Sequence, residues 1–357
     1  MLTIEKDDQV VLPKDYHEIH NICAVIYDQI LGIGKDDFFE NFNVTQFEGD
    51  KILYDSIKKI EKDELSAKDF LRENNLDDAL VEYITKDLTN AILSDLCSFT
   101  YESLNAAKKG KMSVAFALIR KPLTDELLIL EQILLDKEDF VYRFFHEGDP
   151  KAYDPSGKGI DKEQIIRKVL ELVKVPLVFT EDVVIKLRYD KSNPNGVNSI
   201  SNRALHIVTM DSNYKTDNKS LNFVFSLQSD IDKYWSIYYK VIPSLLIYTA
   251  AVVDEIAFSY VKNRVNYKEL RAFIRELSLM LIFESEISKK ILEEVCVGLS
   301  SVCWKCGKDI LVEKADLTLL VHNSHILCPY CFENQIFSTE MSYKMLDLLS
   351  ELQKKIK

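Results

Sequence analysis

The sequence predicts a mainly α-helical protein: a bundle of long helices in two lobes, with a small central β-hairpin and a four-cysteine module near the C-terminus. First, 10 glycines and 8 prolines in 357 residues fall well below the typical usage of about 7% and 5%, which favours long elements with few turns. Second, apolar residues recur at every fourth position from Leu76 to Leu96, which is the spacing of one helix face. Third, two Cys-x2-Cys pairs lie close together near the C-terminus and predict a metal site.

The composition is that of a globular chain. Apolar residues make up 47% and charged residues 29% of the sequence, and 357 residues suffice for one large core or two ordinary ones. The net charge of −12 disfavours general binding to nucleic acids or anionic membranes. It is compatible with a basic protein partner, or simply with an acidic solvated surface.

The sequence predicts neither a membrane span nor export. The most apolar run, Val241 to Val253, is followed by Asp254 and Glu255 and is shorter than the roughly 20 residues that cross a bilayer. The first residues lack the cationic start and apolar stretch of a signal peptide. We therefore expect a cytoplasmic protein that does not associate with a membrane. A protein partner or a homo-oligomer is the expected assembly.

The N-terminal lobe is predicted over residues 1–150. A first helix is expected to end at Leu31, before Gly32 and Gly34, with His17 and His20 exposed in its first turn. Further helices are predicted over 52–60, 67–73, 76–107, 112–120 and 127–135.

Two charged residues fall within the apolar helices of this lobe. Arg120 and Glu131 lie on one helical face but roughly 16 Å apart along the axis, too far to pair with each other. Because an unpaired buried charge is costly, each is expected to have a partner elsewhere. A structural ion pair is the favoured interpretation and a functional pocket the alternative.

The second lobe is predicted over residues 151–300, with a β-hairpin near 204–227. The runs Leu205 to Met210 and Leu221 to Leu227 are rich in β-branched and aromatic residues and are joined by a polar loop. Arg203, His206 and Asp211 would meet at this hairpin, and they are the best candidates for acid–base catalysis in the chain. The alternative is that His206 is an ordinary strand residue.

Helices are expected again after Asp230, first to about Ile256 and then from Tyr267 to Leu299. The four-cysteine module is predicted over residues 301–340. An amphipathic C-terminal helix over residues 341–357 is expected to dock on the body or on a partner.

The cysteine module carries the strongest chemical signal. Cys303 and Cys306 form one pair, and Cys328 and Cys331 form the other. Each pair can place two sulfurs on one ion, and four thiolates form a closed tetrahedral shell that suits structural zinc. Iron in the same shell, disulfides and free thiols are the alternatives.

Neighbouring residues fit the same interpretation. Gly307 follows the second cysteine, and Pro329 lies inside the second turn. The apolar runs 310–312 and 317–321 predict a small hairpin between the pairs. His322 and His325 are possible extra ligands, or polar residues at the hairpin tip.

The pattern Cys-x2-Cys-Gly, an insert and Cys-Pro-x-Cys resembles the zinc-ribbon (rubredoxin-like) modules, over residues 303–338 only. The resemblance implies a bound Zn2+ and says little about function, because such ribbons bind nucleic acids, dock proteins or act as staples. From Ser301 to Lys357 there are seven Lys, seven Asp or Glu and no Arg, which disfavours the nucleic-acid role.

Three functions remain as expectations. The first is a protein-binding or regulatory protein with a structural zinc ribbon. The second is a nuclease or nucleotide-processing enzyme that uses the Arg203/His206 region. Large helical proteins of this look include the HEPN-type ribonucleases of phage defence, but their longer Arg–His spacing is missing, since Arg143–His146 and Arg203–His206 each enclose only two residues. The third is a nucleic-acid-binding module.

Overall fold

The computed structural model describes residues 2–5, 7–35, 67–157, 159–175, 179–261, 265–283, 285–323, 325–336, 346–347 and 351. The chain is mainly α-helical, as predicted. Its described residues before 300 form what we call the helical body. The body contains α1 (His17–Lys35), α2 (Ala67–Glu73), α3 (Asp77–Lys108), α4 (Met112–Lys121), α5 (Leu127–Leu135), α6 (Lys137–Val141), α7 (Pro150–Tyr153), α8 (Lys162–Leu172), α9 (Glu181–Arg188), α10 (Val197–Leu205), α11 (Gln228–Tyr260), α12 (Val265–Ile282) and α13 (Glu286–Leu299).

Three short helical turns complete the body. A 3-10 turn, Lys14–Tyr16, leads into α1, and π-helical turns cover Pro122–Glu126 and Tyr142–Glu147. The first π turn joins α4 to α5 without a break, because proline is tolerated at the start of a helical segment.

Helix α11 lies at the centre of the body. It packs against α1, α12, α5, α4 and α9. By length and composition α11 could cross a membrane, but 89% of its most apolar window is buried inside the protein. The core helix of a soluble protein has the same properties, and α11 supplies buried residues along most of its length, from Trp235 to Phe258.

Several helix boundaries follow the sequence closely, and two do not. The helix predicted over 76–107 is α3, and that predicted over 127–135 is α5. Helix α1 does not end before the glycines but continues through Gly32 and Gly34 to Lys35. The single helix expected from Tyr267 to Leu299 is divided into α12 and α13, and the Ser285 hydroxyl caps α13 by accepting from the Ser288 N–H at 2.9 Å.

The predicted central hairpin is wrong. Residues 206–227 form an irregular loop of turns and bends with no strand. Two isolated backbone bonds cross the loop, from the N–H of Asn222 to the carbonyl of Ile207 at 2.9 Å and from Thr216 to Thr209 at 3.0 Å. Side-chain bonds add to them, since Asn222 donates to the carbonyl of His206 at 2.7 Å and Thr209 donates to that of Tyr214 at 2.7 Å. The apolar residues that suggested strands, including Ile207 and Met210, are exposed on this loop.

Two polar residues that the sequence expectations singled out are buried. His20 is fully buried, which corrects the expectation of an exposed first turn. Its two ring nitrogens lie 2.8 Å from the Tyr239 hydroxyl and 2.9 Å from the carbonyl of Leu2. Glu131 has the remote partner that its burial demanded: its carboxylate accepts from Arg188 at 2.5 Å and from the Tyr248 hydroxyl at 2.6 Å.

A second buried ionic cluster connects α1, α11 and α12. The Asp254 carboxylate on α11 accepts from Arg271 and Arg275 on α12, both at 2.5 Å. Arg271 also donates to the carbonyl of Gln29 on α1 at 3.0 Å. The two arginines lower the pKa of Asp254 despite its burial, so that this carboxyl stays charged between three helices.

The division of the body into lobes at residue 150 stays a prediction. One continuous hydrophobic core includes residues from both predicted lobes and from the cysteine module. The helix expected over 52–60 lies outside the described residues, and so does most of the amphipathic helix expected over 341–357.

Candidate metal centre

The four cysteines lie in two matching turns beyond α13. The first turn joins strands β1 (Ser301–Val302) and β2 (Asp309–Ile310), and the second joins β3 (His325–Leu327) and β4 (Asn334–Ile336). Each pair of strands is antiparallel. We call residues 301–336 the cysteine module.

The insert between the two turns is helical. Helix α14 (Lys314–Asn323) occupies the stretch for which the sequence predicted a hairpin. Leu317, Leu320 and Val321 have helical spacing and are buried against the body. The run therefore follows the 3.6-residue period, and tertiary packing selects the helix.

The two turns share one hydrogen-bond pattern. In the first, the N–H of Gly307 donates to the carbonyl of Cys303 at 2.9 Å. In the second, the N–H of Phe332 donates to the carbonyl of Cys328, also at 2.9 Å. Gly307 has φ +69° and Phe332 has φ +56°. The same left-handed position is thus held by glycine in one turn and by a bulky aromatic residue in the other, where it is strained.

The sulfurs of the two turns converge. Cys303 Sγ lies 3.7 Å from Cys331 Sγ, and Cys306 Sγ lies 3.7 Å from Cys328 Sγ. All four sulfurs are within 4.8 Å of one another. A disulfide would need about 2.05 Å, whereas a tetrahedral ion with bonds of about 2.3 Å holds its sulfurs about 3.8 Å apart. The four cysteines therefore form a candidate metal site.

The polypeptide supplies donors to one of these sulfurs. The N–H of Cys306 lies 3.5 Å and the side-chain amide of Gln335 lies 3.4 Å from Cys303 Sγ. Desolvation raises the pKa of the Cys303 thiol, but hydrogen bonds from the Cys306 and Lys305 N–H groups and from the Cys306 and Cys331 thiols together lower it. A thiolate is the form that binds a metal.

The two histidines that the sequence offered as extra ligands lie outside the cluster. Within the described residues, no histidine, aspartate or glutamate joins the four sulfurs as a further ligand. Burial lowers the pKa of His322 on α14. His325 Nδ1 lies 2.9 Å from the carbonyl of Asn323 and donates to it.

The module is joined to the body on one side. Helix α14 contacts α1, α12 and α13, and Thr318 donates to Glu18 at 3.2 Å. Cys303 and Cys328 are buried, whereas Cys306 is exposed. The candidate metal site therefore lies at the boundary between the body and the solvent.

Aromatic side chains beside the cysteines are exposed to solvent. We call Trp304, Tyr330 and Phe332 the aromatic face; their exposed fractions are 67%, 55% and 77%. The Trp304 indole donates to the carbonyl of Asn334 at 3.1 Å, so that it bridges the two turns. Lys308 lies 4.5 Å from the centre of the Tyr330 ring.

The sequence expectations missed this face. Each of its residues directly adjoins a cysteine of the metal site. The signal was available in the sequence: three aromatic residues stand next to metal-ligand cysteines. A module this small has few buried positions, so such residues are expected to be exposed.

The three predicted catalytic residues have different surroundings. Arg203, at the end of α10, lines a cavity that neither His206 nor Asp211 lines. His206 is exposed. Asp211 accepts from Asn213 at 3.0 Å and lies 3.8 Å from the ammonium group of Lys191. Their joint catalytic role stays a prediction.

No protein-family model matches this chain, and neither a curated protein nor a solved structure is significantly similar to it.

Proposed function

We propose that the chain is a protein-binding protein whose cysteine module, closed by a structural Zn2+, docks a basic partner protein on the aromatic face. The observation that carries this proposal is the pair of matching turns. Phe332 occupies a left-handed position that Gly307 fills without strain in the other turn, and its side chain is 77% exposed. Strained residues persist where the surrounding structure or function requires them.

Zinc is the ion that the ligand set favours. Four thiolates in tetrahedral spacing suit Zn2+, and iron is the alternative in the same shell. Four protein ligands leave no open position for a substrate or water, so the ion is assigned a structural role.

A protein partner explains the exposed aromatic side chains better than a nucleic acid. Tyr, Trp and Phe are enriched at protein interfaces. Exposed aromatic residues also stack on single-stranded bases, but such sites combine them with a positive groove. Residues 301–336 contain three Lys and four Asp or Glu, and four thiolates with Zn2+ add a net charge of about −2.

The same charges define the chemistry of the partner. The chain as a whole has a net charge of −12. Complementary charge speeds association and selects among partners. We therefore expect an apolar segment flanked by lysine or arginine on the partner.

The enzymatic alternative has less support. Arg203 lines a cavity without His206 and Asp211. An acid–base mechanism needs these groups within hydrogen-bond reach of one substrate.

The proposal is tested by affinity capture from the cells that naturally produce the chain. The bait is wild type, Trp304→Ala/Phe332→Ala, or Met210→Ala, which removes an equally exposed apolar side chain from the loop 206–227. Bound zinc is measured for all three baits, so that loss of the module's fold is separated from loss of the surface.

We expect a basic protein that the wild type and Met210→Ala retain and that the double variant loses by at least about tenfold, as for residues central to an interface. Its binding should weaken as salt rises. Equal capture by all three baits, a bound species that nuclease destroys, or self-association as the only interaction would contradict the proposal.

A further inference from the structure

A second site lies away from the cysteine module, beside the loop 206–227. A cavity of about 310 Å³, partly open to solvent, is lined by the end of α10, this loop and the first turns of α11. Its walls include Arg203, Phe223, Phe225, Lys233 and Tyr234. The volume falls in the range of small-molecule sites, about 300–1,000 Å³.

The loop that forms the cavity is held by its own hydrogen bonds. Buried Asn222 accepts from the Thr216 hydroxyl at 3.0 Å and donates to the carbonyl of His206 at 2.7 Å. The Thr216 hydroxyl also accepts from the N–H of Thr209 at 2.8 Å. These bonds connect the two ends of the loop, so that the cavity is already formed without a ligand.

One wall of the cavity is strained. Phe223 has φ +61°, in the left-handed region that aromatic residues avoid. Its ring stacks on that of Tyr234 with the ring centres 4.5 Å apart, and it also contacts Phe116. Phe225 also lines the cavity and is largely exposed, so its ring is available to a ligand.

The charged side chains that line the cavity differ in whether they have hydrogen-bond partners in the protein. The Nε atom of Arg203 is buried and has no hydrogen-bond partner among the residues that the structure describes. The Asp230 carboxylate, also in the wall, accepts from the N–H of Leu227 at 2.8 Å and caps α11. Asp217 is exposed to water. The cavity therefore offers Arg203 and Lys233 to a ligand while one of its two carboxylates is engaged in the fold.

We propose that this cavity binds a small organic anion, a carboxylate or phosphate attached to a flat ring. The oxyanion would pair with Arg203, whose planar guanidinium suits both groups. The ring would pack between Phe225 and Tyr234. This site is independent of the metal and of the aromatic face.

Calorimetry of the full chain tests the site with benzoate, phenyl phosphate, inorganic phosphate and benzyl alcohol. We expect one or both of the ring-bearing anions to bind, and the neutral alcohol and inorganic phosphate to bind at least about tenfold more weakly. Benzoate against phenyl phosphate separates the two anion types.

Two variants connect that binding to the cavity. Arg203→Gln is expected to weaken the anion by at least about tenfold, whereas Lys215→Gln, which removes an exposed charge from the same loop outside the cavity wall, is expected to leave it unchanged. Phe225→Ala should weaken the ring-bearing anions and spare inorganic phosphate. Circular dichroism checks that each variant is folded.

Absence of binding by either ring-bearing anion would overturn the proposal. Equal affinity for Arg203→Gln and the wild type, or inorganic phosphate binding as tightly as the ring-bearing anion that binds, would overturn it as well.

Discussion

The helical body and the cysteine module differ in what holds them together. The body buries long apolar helices around α11 and adds ion pairs with no solvent exposure, such as Arg188 with Glu131. The module has strands of two or three residues and exposes Trp304 and Phe332. Its own hydrophobic contribution is small, so four sulfurs in tetrahedral spacing must supply the rest once they bind a metal.

This difference separates stability from recognition. The body places paired charges inside, such as Arg188 with Glu131, whereas the module places aromatic groups outside and leaves them uncovered within the described part of the chain. A surface variant of the module should therefore change binding and spare the body. A core variant of the body should do the reverse.

The largest expected effect comes from removing the metal ligands. Cys303→Ser should abolish metal binding, because it removes one of the four thiolates of the closed shell. The module should then lose the folding free energy that the metal supplies, about 10–16 kcal/mol in small zinc sites. Hydrogen exchange should then accelerate over 301–312 and 325–336. Helix α14 should stay protected, since it packs on α1 and α12.

Cys296→Ser is the matched control for this variant. Cys296 lies on α13 just before the module, is half-buried and is not part of the four-sulfur cluster. Faster exchange in both variants, or in neither, would contradict the assignment of the four sulfurs.

The second effect lies in the body. Arg188→Met should lower the free energy of unfolding by about 3–5 kcal/mol, because it leaves the Glu131 carboxylate buried without its cation. Adding Glu131→Leu should restore most of the loss, since a matched apolar pair replaces the ionic one. Denaturant titration measures the stability of the single and the double variant, and bound metal should be unchanged in each. If Arg188→Met is as stable as wild type, the ion pair contributes little to stability.

A pH effect of about 3 kcal/mol is expected from His20. Burial is the main cause that lowers its pKa from 6.5 to about 4 in the folded protein. Because the folded pKa is below the unfolded one, this stability is fully present above pH 6.5 and is lost as the pH falls from 6.5 towards 4. Stability curves of wild type and His20→Gln should converge in that interval; parallel curves would show that His20 does not titrate as described.

The smallest effect distinguishes strain from function at Phe332. Phe332→Gly should stabilise the module by about 1 kcal/mol, since glycine adopts φ +56° without a steric penalty. The same variant should weaken capture of the partner. Gly307→Ala is the matched opposite, because it places a side chain at φ +69° in the other turn. Increased stability with unchanged capture would remove Phe332 from the interface.

Sequence patterns predicted the features that depend on local spacing. The apolar period of four predicted α3, and the two cysteine pairs predicted the sulfur cluster. Both signals act over a few residues, where geometry is set by the helix period or by one turn.

The structural features that the sequence did not predict correctly depend on contacts between residues far apart in the chain. The runs near 205–227 have strand composition, but most of their apolar side chains are exposed and no core covers them. Isolated backbone bonds and the side chains of Asn222 and Thr209 hold the loop instead of a ladder. The run 317–321 is a helix because the body covers Leu317 and Leu320. No local pattern could assign Arg188 to Glu131, which lies 57 residues away.

X-ray absorption at the zinc edge tests the central claim most directly. We predict one Zn2+ per chain with four sulfur ligands at about 2.3 Å and no light-atom ligand. A protein that contains no zinc when purified from zinc-replete cells, or one whose zinc has nitrogen or oxygen in its shell, would contradict the closed four-sulfur site.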